Sequence, residues 1–157
     1  MQSLPAINAV LGWLDVKGVF MWQVYAILSA LFAALTAIFS KVGVDGMNSN
    51  LATAVRTLVI LFITWGVVFF TVDVRELKDV PARTFAFLIL SGMATGLSWL
   101  FYFKALQVGV ASKVAPVDKL SVVFTIILAY LFLGEPLTPK VALGGLLILG
   151  GSLVMII

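Results

Sequence analysis

Five long apolar stretches, separated by short polar or charged connections, constrain this chain of 157 residues more than any other feature. A helix that crosses a bilayer needs roughly 20 apolar residues to cover about 30 Å of hydrocarbon. Residues 22–40, 51–72, 83–108, a stretch from Ser112 to residue 133, and residues 139–157 have that character. Their boundaries carry the matching local signals. Trp22 and Tyr25 stand where aromatic side chains favour the interface, and Lys41 closes the first helix. Asn48, Ser49 and Asn50 offer a turn and an N-cap before the second. Residues 73–79 form a charged connection, and Pro81 has the fixed φ that suits a helix's opening turn. Gly109 ends the third helix, and Ser112 is placed to cap the fourth. In the loop that follows residue 133, Thr138 reads as a cap and Pro139 as the first residue of the fifth helix.

The expected fold is therefore an all-α membrane protein with five transmembrane helices. Composition agrees: at 62% hydrophobic and 11% charged residues, the chain carries more apolar surface than a soluble domain of this length can hide. It has no cysteine and no histidine, which removes disulfides, thiolate chemistry, the commonest metal ligand and the usual general base near neutral pH. No enzymatic activity, cofactor or metal is expected. The net charge of +3 is spread between apolar runs, the distribution of membrane flanks and not of a nucleic-acid surface. Residues 1–20 lack the basic start of a secretory signal and are broken by Pro5, Asp15 and Lys17. They read as an N-terminal extension to a membrane domain at 21–157. Two readings of it stand: an interfacial helix with Leu11, Trp13 and Leu14 at the headgroup boundary, or an upstream start ahead of a natural one at Met21.

An odd number of crossings puts the termini on opposite sides of the membrane. Lys17, Arg75, Lys78, Arg83 and Lys140 then share the N-terminal side, and Lys41, Arg56, Lys104, Lys113 and Lys119 the other. This even split gives little orientation signal and permits insertion both ways. Setting aside Arg56, Lys104 and Lys119, which lie within helices, favours a cytoplasmic N-terminal side.

Ionisable side chains within the bilayer cost roughly 2.5–3.5 kcal/mol on insertion scales, so each needs a partner, a water path or an escape to the interface. Arg56, Lys104, Asp118 and Lys119 are the four candidates, and alternation of the crossings places them at similar depth near one membrane face. One reading is a polar vestibule in which Asp118 pairs with Arg56 or Lys104 and the remaining positive charge attracts an anionic or zwitterionic solute. The other is that the basic residues snorkel to the headgroups, a course closed to the short Asp118 carboxylate. On the third helix Ser91, Thr95, Ser98 and Tyr102 recur at helical spacing as a polar stripe beside Gly92, Gly96, Trp99 and Phe103. The stripe suits a cavity lining, and the two glycines suit close helix packing. Gly144, Gly145, Gly150 and Gly151 on the last helix carry the same packing signal. Pro116 interrupts the fourth helix near Asp118, a break that membranes tolerate where protein or a cavity receives the freed backbone group. The candidate substrate-binding residues are thus Arg56, Thr95, Ser98, Trp99, Tyr102, Lys104, Pro116, Asp118 and Lys119.

Three segments carry a family resemblance. The run Ala105-Leu-Gln-Val-Gly-Val-Ala-Ser-Lys-Val-Ala-Pro116, the following Val-Asp-Lys-Leu-Ser-Val-Val-Phe-Thr, and Leu131-Phe-Leu-Gly-Glu-Pro-Leu-Thr138 resemble the EamA-like half of the drug/metabolite transporter superfamily. The first helix, ending Ala-Ile-Phe-Ser-Lys-Val-Gly, is similar to that family's first helix. Many members have ten helices in two inverted halves, with a substrate cavity lined by the third and fourth helices of each. The resemblance implies that this chain is one such half, and that it exports or exchanges small metabolites or drug-like solutes in the cell (inner or plasma) membrane as a homodimer whose second copy can be inverted. Small multidrug exporters of the same superfamily use a glutamate in their first helix, and residues 22–40 here contain no acid. Asp118 is the intramembrane acid left for proton coupling. The competing expectation is an accessory or assembly subunit that pairs with another membrane protein and transports nothing itself.

Overall fold

A computed structural model describes residues 4–157, with side chains described from Met21 onward. The expectation of an interfacial extension at 1–20 therefore lies outside the residues whose side chains are described. Helix α1 runs Leu4–Val44, α2 Ser49–Thr71 and α3 Ala82–Val108. The fourth crossing is α4 (Ala111–Asp118), α5 (Leu120–Leu128) and a π turn at Ala129–Leu133, and α6 is Pro139–Ile156. Five segments are long and apolar enough to cross a membrane: Met21–Val44, Ser49–Thr71, Ala82–Val108, Ala111–Leu133 and Pro139–Ile156. The fold is the all-α, five-span architecture that the apolar stretches imply.

The chain divides into two units, Met1–Phe39 and Ser40–Ile157. In the first, α1 presents Trp22 and Tyr25 on its surface near one end of the span, where amphipathic rings suit the headgroup level. In the second, α3 packs against α2 and α4, while α6 packs against α4 and α5.

Local chemistry sets most of the helix starts. The Asn48 side chain accepts from the Asn50 amide at 2.9 Å and opens α2; Thr138 accepts from the Val141 amide at 3.3 Å and opens α6. Between α2 and α3, Asp73 accepts from the Arg75 amide and starts a 3₁₀ turn over Val74–Asp79. Pro81 stands at the N-cap of α3, one position ahead of the helical turn proposed for it. Ser112 does not cap α4: Val110 occupies that position with no side-chain bond, and its carbonyl accepts from both Lys113 and Val114 amides at 3.0 Å. The connection from α3 is so tight that Ser112 already lies inside the first turn.

That tightness rests on Gly109. Its amide donates to the Ala105 carbonyl at 2.7 Å, and a Cβ there would sit 2.9 Å from Val114 Cγ2 and 3.0 Å from that same carbonyl. Around this turn gather the buried Val44, Ala52, Phe103 and Leu106. Lys41 reaches across from the end of α1, its ammonium donating to the carbonyls of Leu106 (2.7 Å) and Gly109 (2.9 Å). These carbonyls at the C-terminus of α3 have no helical partner, and a cation there also meets the negative end of the helix dipole. Gln107 adds a second tie, donating to the Met47 carbonyl at 2.9 Å.

Pro116 breaks the fourth crossing. It has no N–H to give the preceding turn, and α4 stops two residues later at Asp118. Lys119 donates its amide to Pro116 at the short 3₁₀ spacing, and α5 restarts at Leu120. Ser152 of α6 is buried and donates its hydroxyl to the same Pro116 carbonyl at 2.9 Å, so a neighbouring helix braces the break. The crossing ends on Gly134, whose φ of 68° is left-handed and natural for glycine. Beside Ser152, Gly145 makes the close contact of α6, with Ile126 Cδ1 3.2 Å from where a Cβ would stand. Gly92 and Gly96 on α3, and Gly144, Gly150 and Gly151 on α6, have no atom within 4 Å of a Cβ position.

Replacing Lys41 by Met removes two charge-assisted bonds and leaves two half-buried carbonyls unmet, an expected loss of about 1–3 kcal/mol. Unfolding of the detergent-solubilised protein by increasing denaturing detergent measures it, and an unchanged midpoint would show that the α3 terminus does not depend on Lys41. Ser152→Ala is expected to cost less, about 0.6 kcal/mol, the usual value of an interhelical hydrogen bond in a membrane protein.

Candidate functional site

Arg56 lies in the second turn of α2, on the stripe Thr53, Arg56 and Ile60 that is less exposed than its neighbours. Opposite it, α3 offers Trp99, Phe103 and Leu106 at the helical spacing of three and four. The guanidinium carbon stands 4.1 Å from the centroid of the Trp99 ring and 5.5 Å from that of Phe103. Cation–π attraction of this kind contributes about 0.5–2 kcal/mol, more where water is excluded. Among the described residues, Arg56 Nη1 is the buried side-chain nitrogen or oxygen with no hydrogen-bond partner.

Trp99 is four residues further from the end of α3 than Phe103, which at the helical rise places it about 6 Å deeper. The Arg56 head lies closer to the deeper ring. Snorkelling takes a charged head toward the near surface, so the packing on Trp99 runs against that reading for this residue.

Tyr102 is half-buried on α3 and lies within electrostatic reach of both Arg56 and Asp118. Asp118 pairs neither with Arg56 nor with Lys104. Its carboxylate meets the ammonium of Lys119 at 3.7 Å, both groups well exposed. The pair stands at the break, where α4 ends at Asp118 and α5 restarts after Lys119. Such an exposed pair contributes little to stability. Lys104 is exposed and donates to Gln107 Oε1 at 3.4 Å, one turn along its own helix. Thr95 is exposed and returns its hydroxyl to the Ser91 carbonyl at 2.9 Å; Ser98 is exposed beside it. Pro116 is half-buried at the break. The nine candidates thus form three groups: Arg56, Trp99 and Tyr102 between α2 and α3; Asp118, Lys119 and Pro116 at the break; and the exposed residues of α3, with Thr95 and Ser98 on one face and Lys104 on the opposite one.

Charge is unevenly divided between the ends of the second unit. The end holding the Gly109 turn carries Lys41, Arg56, Lys104, Lys113 and Lys119 against Asp45 and Asp118. The opposite end balances Arg75, Lys78, Arg83 and Lys140 with Asp73, Glu76, Asp79 and Glu135. The positive excess therefore sits where Arg56 lies. An apolar groove of about 230 Å³, lined by Ala105, Val110, Val114, Val117 and Ile156 with Lys113 at its edge, shares no residue with the three groups. No cluster of three His, Cys, Asp or Glu residues suited to a metal ion occurs among the described residues.

Sequence reasoning did not assign Lys41, Gln107 or Ser152 to the frame that holds these groups in place. Lys41 reads as a flanking charge, and only its reach to carbonyls 65 and 68 positions away reveals its use. If Arg56 and Trp99 interact as their geometry implies, a double-mutant cycle with Arg56→Gln and Trp99→Leu should give a stability coupling of about 1–2 kcal/mol. A coupling indistinguishable from zero would remove the stacked pair.

The comparisons with known proteins agree with this architecture. The sequence profile of the EamA-like transporter family matches residues 20–157. A curated relative from a Sinorhizobium species, described as an uncharacterized transporter in the cobO 3' region, is 51% identical over 134 residues, covering 85% of this chain and 95% of the relative. No solved structure matches. With five spans, a family match over nearly all of them and a relative described as a transporter, this multi-pass membrane protein belongs to the EamA-like transporter family.

Proposed function

We propose that residues 21–157 form the working domain of a secondary carrier, with 1–20 an appendage to it. The carrier exports or exchanges small metabolites or drug-like solutes across the cell (inner or plasma) membrane, acting as a homodimer of five-helix halves and catalysing no covalent reaction. The solute site comprises Arg56, Thr95, Ser98, Trp99, Tyr102, Lys104, Pro116, Asp118 and Lys119.

One observation carries this reading: the hydroxyls of Thr95 and Ser98 lie exposed on one face of a helix that crosses hydrocarbon. In one copy that face meets lipid, which offers polar groups nothing. Turned toward a second copy, it lines a shared polar cavity. Gly92 and Gly96 on α3, open within one copy, leave room there for a solute or a close partner. The relative is similar in extent to this chain, the 134 aligned residues making up 95% of its length.

Transport follows from the break at Pro116. A helix interrupted at Asp118 and restarted at Leu120 has a break beside its charged pair, tied to α6 by one hydrogen bond from Ser152. Rocking of one bundle against the other about such breaks exposes a central site alternately to each side.

Flux into proteoliposomes across a panel of amino acids, sugars, nucleosides and lipophilic cations tests the proposal. Trp99→Ala and Asp118→Asn should each lower flux of a transported solute by about tenfold, the effect of one lost charged or stacked contact, with chemical cross-linking of the dimer unchanged. A stably paired protein that moves no solute would instead be an accessory subunit. Single cysteines introduced at Lys78 and labelled from each side of the native membrane report orientation, since the chain has no cysteine of its own. Labelling from both sides is expected for an inverted pair, and labelling from one side alone excludes it.

A further inference from the structure

The Arg56 cluster has a property that the general reading of a solute site does not use. A guanidinium has five N–H donors and no acceptor, and it stays protonated under all physiological conditions. Here its face is occupied by Trp99 and flanked by Phe103, which leaves its edge for hydrogen bonding. Within that edge Nη1 is buried and unpartnered. A buried N–H without an acceptor costs about 1–3 kcal/mol, more when charged. The nearby groups do not supply the acceptor. Asp118 is held by Lys119 at 3.7 Å, and Lys104 is a cation directed to Gln107. What would satisfy it is a planar acceptor at the guanidinium edge, and a carboxylate matches the fork geometry.

Charge limits the choice further. Arg56 is the one cation of its group, and Asp118 also acts electrostatically on Tyr102. One positive charge against apolar rings compensates a monoanion and leaves a dianion such as phosphate under-neutralised. We propose that Arg56, laid on Trp99 with its Nη1 edge free, is the recognition group for a carboxylate, and that the solutes of this carrier are organic monocarboxylates. The inference rests on the reading of the α2–α3 cluster as part of the solute site. It adds the chemical class and assigns the discrimination to one side chain.

The test uses the full chain in phosphatidylcholine nanodiscs, with benzoate, its neutral isostere benzamide, the cation benzylamine and inorganic phosphate as probes. Binding is read by thermal shift and by intrinsic tryptophan fluorescence. Benzoate should bind at least about tenfold more tightly than benzamide, the discrimination one charge-assisted bond supplies, and phosphate and benzylamine more weakly than either. Arg56→Gln should reduce the benzoate-to-benzamide ratio to about one, and Arg56→Lys should retain part of it. Lys113→Gln, outside the proposed site, removes the same charge from the same end of the molecule and should leave the ratio unchanged. It also keeps the test decisive if Arg56→Gln fails to fold, because a loss of the ratio in Lys113→Gln would assign the preference to the general positive field and overturn the role of Arg56.

Binding of benzamide or benzylamine that matches benzoate but is lost in Trp99→Ala would retain the site and overturn the carboxylate class. Binding of every probe unaffected by Trp99→Ala and Arg56→Gln would overturn the site itself. If Arg56-dependent stabilisation appears only when phosphatidylglycerol replaces phosphatidylcholine, and not with benzoate, the anion is a lipid headgroup and the solute assignment fails.

Discussion

Hydrocarbon offers no hydrogen bonds, so every backbone carbonyl that a helix end or a helix break leaves open must find a donor within the protein. The second unit meets this demand with side chains borrowed from distant parts of the chain. Lys41 serves the last carbonyls of α3, Gln107 serves Met47 in the α1–α2 connection, and Ser152 serves Pro116 at the break. Two of these ties converge on the Gly109 turn, where Leu106 and Val44 are the most deeply buried side chains. One end of the unit is thereby fixed, and it is the end that holds Arg56 and the excess of positive charge.

That frame gives the candidate site its geometry. Fixing the C-terminal end of α3 against the start of α2 sets Trp99 and Phe103 opposite Arg56, so the guanidinium lies on aromatic faces inside the span. Asp118 stands at the break that follows Pro116, with Lys119 as its partner. The two charged groups both act electrostatically on Tyr102 without pairing with one another. The remaining candidates, Thr95, Ser98 and Lys104, lie exposed on α3, the first two on a different face from the third.

The family assignment and the structure bear on different questions. Membership in the EamA-like transporters supplies the transport role. The solute is a matter of the chemistry at one site, because a fold that carries many functions does not specify any of them. Under the proposal made above, the stacking of Arg56, its unpartnered Nη1 and the local charge balance bear on that chemistry.

Sequence alone determined the number of spans, their approximate limits and the caps at Asn48 and Thr138, because apolar length and short-range hydrogen bonding are local properties. It also located the helix break, since a proline's missing N–H acts within one turn. Tertiary structure decided the partners: Asp118 with Lys119 instead of Arg56, Arg56 with Trp99, and Lys41 with carbonyls of α3. Spacing along one helix shows which residues share a face, but not which face a neighbouring helix will meet. That depends on packing among several helices at once, and it is there that a list of charged residues becomes a site.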